Sequence, residues 1–363
     1  MCARVLLRGV LALFLTFLIV FPIKAQESTP DPAVPDPILE IMAQMPPEMK
    51  VGQLVLVSFP GVDVGAETEI VALIRDYGVG GVFFRPQNGN FGVTGIAPVD
   101  LISVTNQLQT YAWEASLGFS RVFSDNAEIP YKPSYIPLFS AVETGSTGMP
   151  VTTFILQTSA LPTSMALGAT WDRKLAAATG KVLGKELVAT GINLFLGPDL
   201  DVLYTPRPGD PSDLGTDSLG GDPFWVGELG RAYISGLRQG SEGRLLIAPR
   251  HLPGLGSADR LLEEELPTVQ QPLEQLKQIE LAPFFAAARE ISGTEGSADA
   301  FLVTHIRYRG FQGNIRFTTR PISLDAQALR SVTSLEEVSP WREAGGVLIA
   351  DNLGLKSIHR SYD

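Results

Sequence analysis

The sequence predicts an α/β fold, a TIM-like (β/α)8 barrel lacking its last β/α unit. Three observations carry that expectation. From Gly52 onward, short apolar runs alternate with segments of helical period, the pattern of parallel strands covered by crossover helices. The later runs end in ionisable residues, as strands do where a barrel opens to solvent. Only seven such runs are present, the last ending at Ala350, and Asp363 leaves room for little more than a started helix. An open edge is therefore expected, covered by the first turn of the barrel, the N-terminal region or a partner.

The expected strands are Leu54 to Phe59, Val79 to Phe84, Leu138 to Val142, Ile192 to Leu196, Leu245 to Ala248, Phe301 to Val303 and Val347 to Ala350. Between them, Ile70, Leu73, Ile74 and Tyr77 fall at i, i+3, i+4 and i+7, and Val226, Leu229, Tyr233 and Leu237 form a second stripe, so both are expected to be core-facing helix faces. The Ala- and Leu-rich segment Arg173 to Thr190 reads as a helix, with Asp172 as its N-cap.

Residues 1–25 carry Arg4 and Arg8, then an apolar stretch from Val10 to Ile23, with Ile23 and Ala25 at the −3 and −1 positions of a cleavage site. This predicts a signal peptide or, if uncleaved, a membrane tether, and export in either case. Residues 26–38, with Pro30, Pro32, Pro35 and Pro37, read as an extended linker, leaving 39–363 as the barrel. Cys2 is the only cysteine, so the mature chain has no internal disulfide and no thiolate metal site. A net charge of −11 argues against a nucleic-acid partner, since phosphate binding needs a basic face.

At the strand ends stand Glu143, Asp199 with Asp201, Arg250 with His251, His305, and Asp351. Asp351 closes the apolar run Val347-Leu348-Ile349-Ala350, so a lone carboxylate sits where a buried strand meets solvent, the position of a nucleophile. The carboxylates lack His-x-x-x-His or Glu-x-x-His spacing, so neither a metal nor another cofactor is expected. A Gly-x-Ser-x-Gly elbow is also missing, which disfavours a hydrolase of that class.

Several ordered stretches resemble the N-terminal barrel of glycoside hydrolase family 3, most closely its bacterial β-N-acetylhexosaminidases. They include Val51-Gly52-Gln53-Leu54, Val79-Gly80-Gly81-Val82, Met165-Ala166-Leu167-Gly168-Ala169-Thr170, Gly197-Pro198-Asp199-Leu200-Asp201-Val202, Arg250-His251-Leu252-Pro253-Gly254 and Asp351-Asn352-Leu353-Gly354-Leu355. The resemblance implies a secreted, exo-acting enzyme that hydrolyses terminal β-linked N-acetylhexosamine or a related hexoside with retention. Asp351 matches the family's nucleophile, and Glu143, Asp201, Arg250, His251 and His305 would meet the sugar.

The chain also departs from the family. Where the hexosaminidase branch carries an Asp-Ser-His acid/base run, this sequence has Leu261, Leu262 and Glu263. Glu263 would then be the acid/base, with burial raising its pKa. The family's sugar-binding Arg aligns with Asp217, and its Lys before His is Arg250. Loss of the dyad leaves a second expectation, a catalytically impaired barrel serving as a carbohydrate-binding or scaffold protein.

Overall fold

A computed structural model describes residues 36–91, 98–118, 121–122, 128–129, 134–143, 158–204, 206–208, 214–260, 262, 265–289 and 293–362. The expected signal peptide and most of the expected linker lie outside them. Pro37 opens a helix, α1 (Pro37–Gln44), that belongs to a unit ending at Gln44, and a second unit begins at Met45.

In the second unit, α2 (Pro47–Gln53) leads into β1 (Leu56–Val57), and α3 (Glu69–Ala72) continues into a π-helical turn, Leu73–Tyr77, before β2 (Gly81–Phe83). Helix α4 (Pro98–Ala115) and a short hairpin, β3 (Arg121–Val122) with β4 (Glu128–Ile129), precede β5 (Phe139–Glu143). Then come α5 (Ser164–Gly168), α6 (Arg173–Ala189), β6 (Leu194–Leu196), α7 (Pro223–Ser241), β7 (Leu246–Ile247) and β8 (Arg250–Leu252). After β9 (Thr268–Val269) follow α8 (Leu273–Gln278), α9 (Ala282–Ala287), β10 (Ala300–Val303), β11 (Arg307–Tyr308) and β12 (Val347–Ala350).

All seven expected strands are present: the first, second, fourth and fifth are shorter than expected, the third is shifted on to Glu143, the sixth starts one residue early at Ala300, and the seventh has the expected bounds. They pair in parallel as β1-β2-β5-β6-β7 and as β12-β10-β8. The expected fifth strand, β7, pairs with β6 and ends before Pro249, which has no N–H for the ladder, and an unexpected strand, β8, follows it and pairs with β10. Arg250 and His251 therefore sit within a strand rather than after one. Among the described residues no strand pairs with the outer edge of β1 or β12, and Val347 on β12 is 52% exposed.

The concave side of the sheets is filled by Ala141, Leu194, Leu196, Ala248, Ala300 and Leu302, with Leu56, Phe83 and Ile349 against them. A larger apolar layer lies between strands and helices, and the stripe Val226, Leu229, Tyr233 and Leu237 is buried in it as expected. Tyr77 is not: it is 62% exposed. The π-turn explains the miss, because an extra residue in the turn rotates every later side chain off the 3.6-residue stripe.

Helices α6 and α7 meet backbone to backbone. A Cβ added at Gly180 or Gly184 would lie 2.2 or 2.3 Å from the carbonyl oxygens of Tyr233 or Leu237. One added at Gly236 or Gly240 would lie 2.0 Å from those of Ala177 or Lys181. Two glycines four apart on each helix thus create facing flat strips, and the contact advances along both helices in the same direction. Asp172 and Asp222 cap the two helices, each accepting two backbone N–H bonds of the first turn, so the N-termini lie side by side.

Candidate active site

Residues at the C-terminal ends of the strands converge on Arg250, whose side chain is buried. Its Nε donates to Asp199 Oδ1 at 2.5 Å and its Nη2 to Asp199 Oδ2 at 3.3 Å, while Nη1 donates to Glu143 Oε2 at 2.6 Å. A planar guanidinium suits this fork, whereas an ammonium would offer a single point charge. The register is fixed by the backbone: Leu200 N–H donates to the Arg250 carbonyl, and Arg250 N–H to that of Pro198. Glu143 also forms an ion pair with Arg85 at 3.4 Å, and the Arg85 guanidinium stands 5.3 Å from the Phe83 ring.

His251 points its Nδ1 at Asp201 Oδ2, 2.7 Å away. The carboxylate accepts, so Nδ1 carries the proton and Nε2 is the ring's remaining polar atom. Burial by itself would lower the imidazole pKa, but the Asp201 charge and hydrogen bond outweigh it and raise the value. The other Asp201 oxygen accepts from Leu255 N–H at 2.7 Å. Asp201, expected to meet the sugar, is only 1% exposed, with its oxygens engaged by His251 and the Leu255 amide.

Asp351 follows β12, its N–H bonded to the Val303 carbonyl at 3.0 Å and its Oδ1 accepting from Asn352 N–H at 2.7 Å. It is partly exposed. Its charge acts on Arg250 and on His305, which places all three around one mouth. His305 is fully buried, with Nδ1 2.6 Å from Ser323 Oγ. Burial lowers its pKa despite the Asp351 charge and the backbone of Asn352 and Asp351, so it is neutral near pH 7. His305 is expected from the sequence to meet the sugar; here its ring has no solvent-exposed surface.

Glu263 lies outside the described residues. Its neighbour Glu265 is exposed and paired with Arg260. Asp217 precedes Ser218, whose hydroxyl donates to the Asp201 carbonyl at 2.9 Å, so the loop with the aligned aspartate runs directly beside the site.

Sequence reasoning overlooked two groups. Arg85 directly follows the second apolar run, and the strand-end rule that found the others would have found it. Glu280 gives no local signal. It is 1% exposed between α8 and α9, accepts from the Ser257 hydroxyl, and is pushed up to about 7 by burial, with the Asp201 charge adding to the shift. The Tyr308 hydroxyl donates to the Gly254 carbonyl at 2.6 Å, so Tyr308 and Glu280 brace the turn that follows His251 from behind.

Among the described residues no cluster of His, Cys, Asp and Glu has the arrangement of a metal site. The carboxylates present are instead used by Arg250, His251 and backbone amides. Such an arrangement can orient hydroxyl groups and present one carboxylate oxygen to an electrophilic carbon.

Residues 47–362 match the family model described as the glycosyl hydrolase family 3 N terminal domain. A probable beta-glucosidase H of Emericella nidulans is 32% identical over 161 residues, 43% of this chain and 18% of that protein. A beta-hexosaminidase of Hydrogenovibrio crunogenus is 27% identical over 37% of this chain and 34% of its own. A solved glycoside hydrolase family 3 beta-N-acetylglucosaminidase from a Paenibacillus species superposes with a TM-score of 0.67 at 28% identity, covering 88% of this chain and 51% of that one. The matched region thus spans about half or less of each of these relatives.

Proposed function

The chain belongs to glycosyl hydrolase family 3, and from that membership we propose that it is an exported, exo-acting glycosidase with Asp351 as its nucleophile. Its substrate is a terminal β-linked N-acetylhexosamine or a related hexoside. The observation that carries this reading is Asp351 itself, held by one backbone bond to Oδ1, partly exposed, and within the field of Arg250. In the first step a carboxylate oxygen bonds to the anomeric carbon as the glycosidic C–O bond breaks, and the departing oxygen takes a proton from an acid, the role assigned to Glu263. In the second step the same group accepts a proton from water, which displaces Asp351 and restores the β configuration.

Arg250, His251 and Glu143 hold the sugar hydroxyls, Asp201 fixes the His251 ring, and neutral His305 lies behind the nucleophile. The N-acetylhexosamine choice rests on the beta-hexosaminidase and beta-N-acetylglucosaminidase relatives, and the beta-glucosidase relative supports the broader hexoside class. Export rests on the N-terminal segment; among the described residues no helix is long and apolar enough to cross a membrane.

One observation favours the second reading, a sugar-binding barrel without turnover. The cation that would grip the sugar is already held by both Asp199 and Glu143. An aryl β-N-acetylglucosaminide and an aryl β-glucoside separate the two readings, because a good leaving group hardly needs the acid. Turnover, or a glycosyl adduct on Asp351 detected by mass spectrometry, supports the glycosidase. Absence of both with retained N-acetylglucosamine binding supports the binding protein.

A further inference from the structure

Away from the strand ends, three aromatic side chains gather at the paired N-termini of α6 and α7. Trp171 and Trp225 meet edge to face with centroids 5.2 Å apart, and Phe224 and Trp225 do so at 5.6 Å. Trp225 is anchored, partly buried against the main core. The other two stand on it with their surfaces open: Trp171 is 55% exposed and Phe224 65%. Large aromatics are rarely left this way in a cluster unless something covers them. Trp171 also holds a left-handed backbone conformation, φ +54°, which a residue with a Cβ disfavours, so the chain here is bent against local preference to raise this ring.

The cluster faces the same way as the site. Helix α6 ends at Ala189 and enters β6 at Leu194, and α7 ends at Ser241 and enters β7 at Leu246. Each helix therefore runs opposite to its strand, and its N-terminus lies at the end where the strands present Glu143, Asp199 and Arg250. The connection to the site is also continuous. Ser218 bonds to the Asp201 carbonyl, and a Cβ added to Gly168 would lie 1.8 Å from the carbonyl oxygen of the next residue, Leu219. Gly168 is three residues before Trp171.

We propose that Trp171 and Phe224, seated on Trp225, form a platform that binds a chain of β-linked pyranose sugars at the rim of the barrel mouth. A pyranose ring has a face of C–H groups whose slight positive charge matches the negative face of an aromatic ring, while its hydroxyls stay in water. The charge beside the rings is mixed, which favours a neutral ligand: Asp172, Asp222 and Glu228 stand with Arg173, which Glu228 holds at 2.6 Å, and with exposed Lys174. An anionic lipid surface or nucleic acid would meet those carboxylates. The proposal extends the glycosidase reading from the reacting sugar to sugars beyond it, but the platform would bind without turnover.

The test uses tryptophan fluorescence of the full chain titrated with two probes, the β-1,4-linked tetramer of N-acetylglucosamine and that of glucose. The expected result is a saturable change with at least one tetramer in the parent and in Asp351→Asn. Binding should be at least about ten-fold weaker in Trp171→Ala and in Phe224→Ala, both exposed positions whose loss should leave the circular dichroism spectrum unchanged. Tetramer binding that survives when aryl glycosides are not turned over would defeat the glycosidase reading alone. The platform is overturned if neither tetramer binds, or if the two alanine variants bind like the parent. It is equally overturned if sedimentation shows a concentration-dependent dimer of the parent that Trp171→Ala abolishes, since a second copy would then be the occupant.

Discussion

Around the mouth of the barrel, the arc from β5 to β8 holds its charges in closed pairs, whereas the arc of β10 and β12 leaves them open. Glu143 and Asp199 close on Arg250, and Asp201 on His251 and the Leu255 amide. Across the mouth, just past a strand half exposed at its edge, Asp351 has one oxygen with no hydrogen bond among the described residues, and buried His305 Nε2 has none within normal limits among them. On the proposed function, the difference separates two tasks. Groups that hold a ligand gain from pre-orientation by their neighbours, while a nucleophile gains from having an oxygen that nothing else engages.

The largest effect expected is on the open side. Asp351→Asn should lower turnover of an activated aryl glycoside by about 10⁴-fold or more, roughly 5 kcal/mol of transition-state stabilisation, with the unfolding midpoint nearly unchanged. Parental rates in this variant would assign the chemistry elsewhere. On the paired side the cost should appear as stability instead. Arg250→Met leaves Glu143 and Asp199 facing each other without their cation, and urea denaturation should show a loss of about 3–5 kcal/mol. A loss below about 1 kcal/mol would mean the pairs do not preorganise this side of the mouth.

A third prediction concerns pH and the brace behind His251. The Glu280 carboxyl is raised from 4.5 to about 7, so the folded protein binds its proton more tightly than the unfolded chain. The stability this contributes is fully present below the unfolded value and is lost as pH rises through about 7. At about 1.4 kcal/mol per pH unit the loss is on the order of 3 kcal/mol, and Glu280→Gln should remove that part of the pH dependence. Chemical denaturation between pH 4 and 8 reads it, and parallel curves for the two proteins would discard the assignment. The smallest effect belongs outside the mouth: Glu265→Gln, which breaks an exposed pair with Arg260, should change stability by less than about 0.5 kcal/mol.

Much of the architecture was legible because strand and helix signals are local. The seven apolar runs, the Asp172 cap and the stripe from Val226 to Leu237 each lie within a few residues, where periodicity reports burial directly. Tyr77 departs from its stripe because a π-turn shifts phase without a composition change, and the break between β7 and β8 follows from Pro249. At the site, the strand-end rule gathered Glu143, Asp201, Arg250, His251, His305 and Asp351 around one mouth. It could not tell a residue that meets ligand from one that supports it. Burial at these positions is what the sequence does not report: Asp201 is 1% exposed and His305 0%.

By itself, then, the sequence determined the order of strands and helices, the family, and the carboxylate at the end of the last strand, because each is written in contiguous residues. Tertiary structure decided the partners. Arg250 reaches back 51 residues to Asp199 and 107 to Glu143, and Glu280 meets Ser257 across 23. Trp171 meets Trp225 only because glycine strips let two helices touch along their length. Pairing over such separations depends on which side chains the closed packing leaves within reach, a property of the assembled barrel that no short stretch of sequence contains.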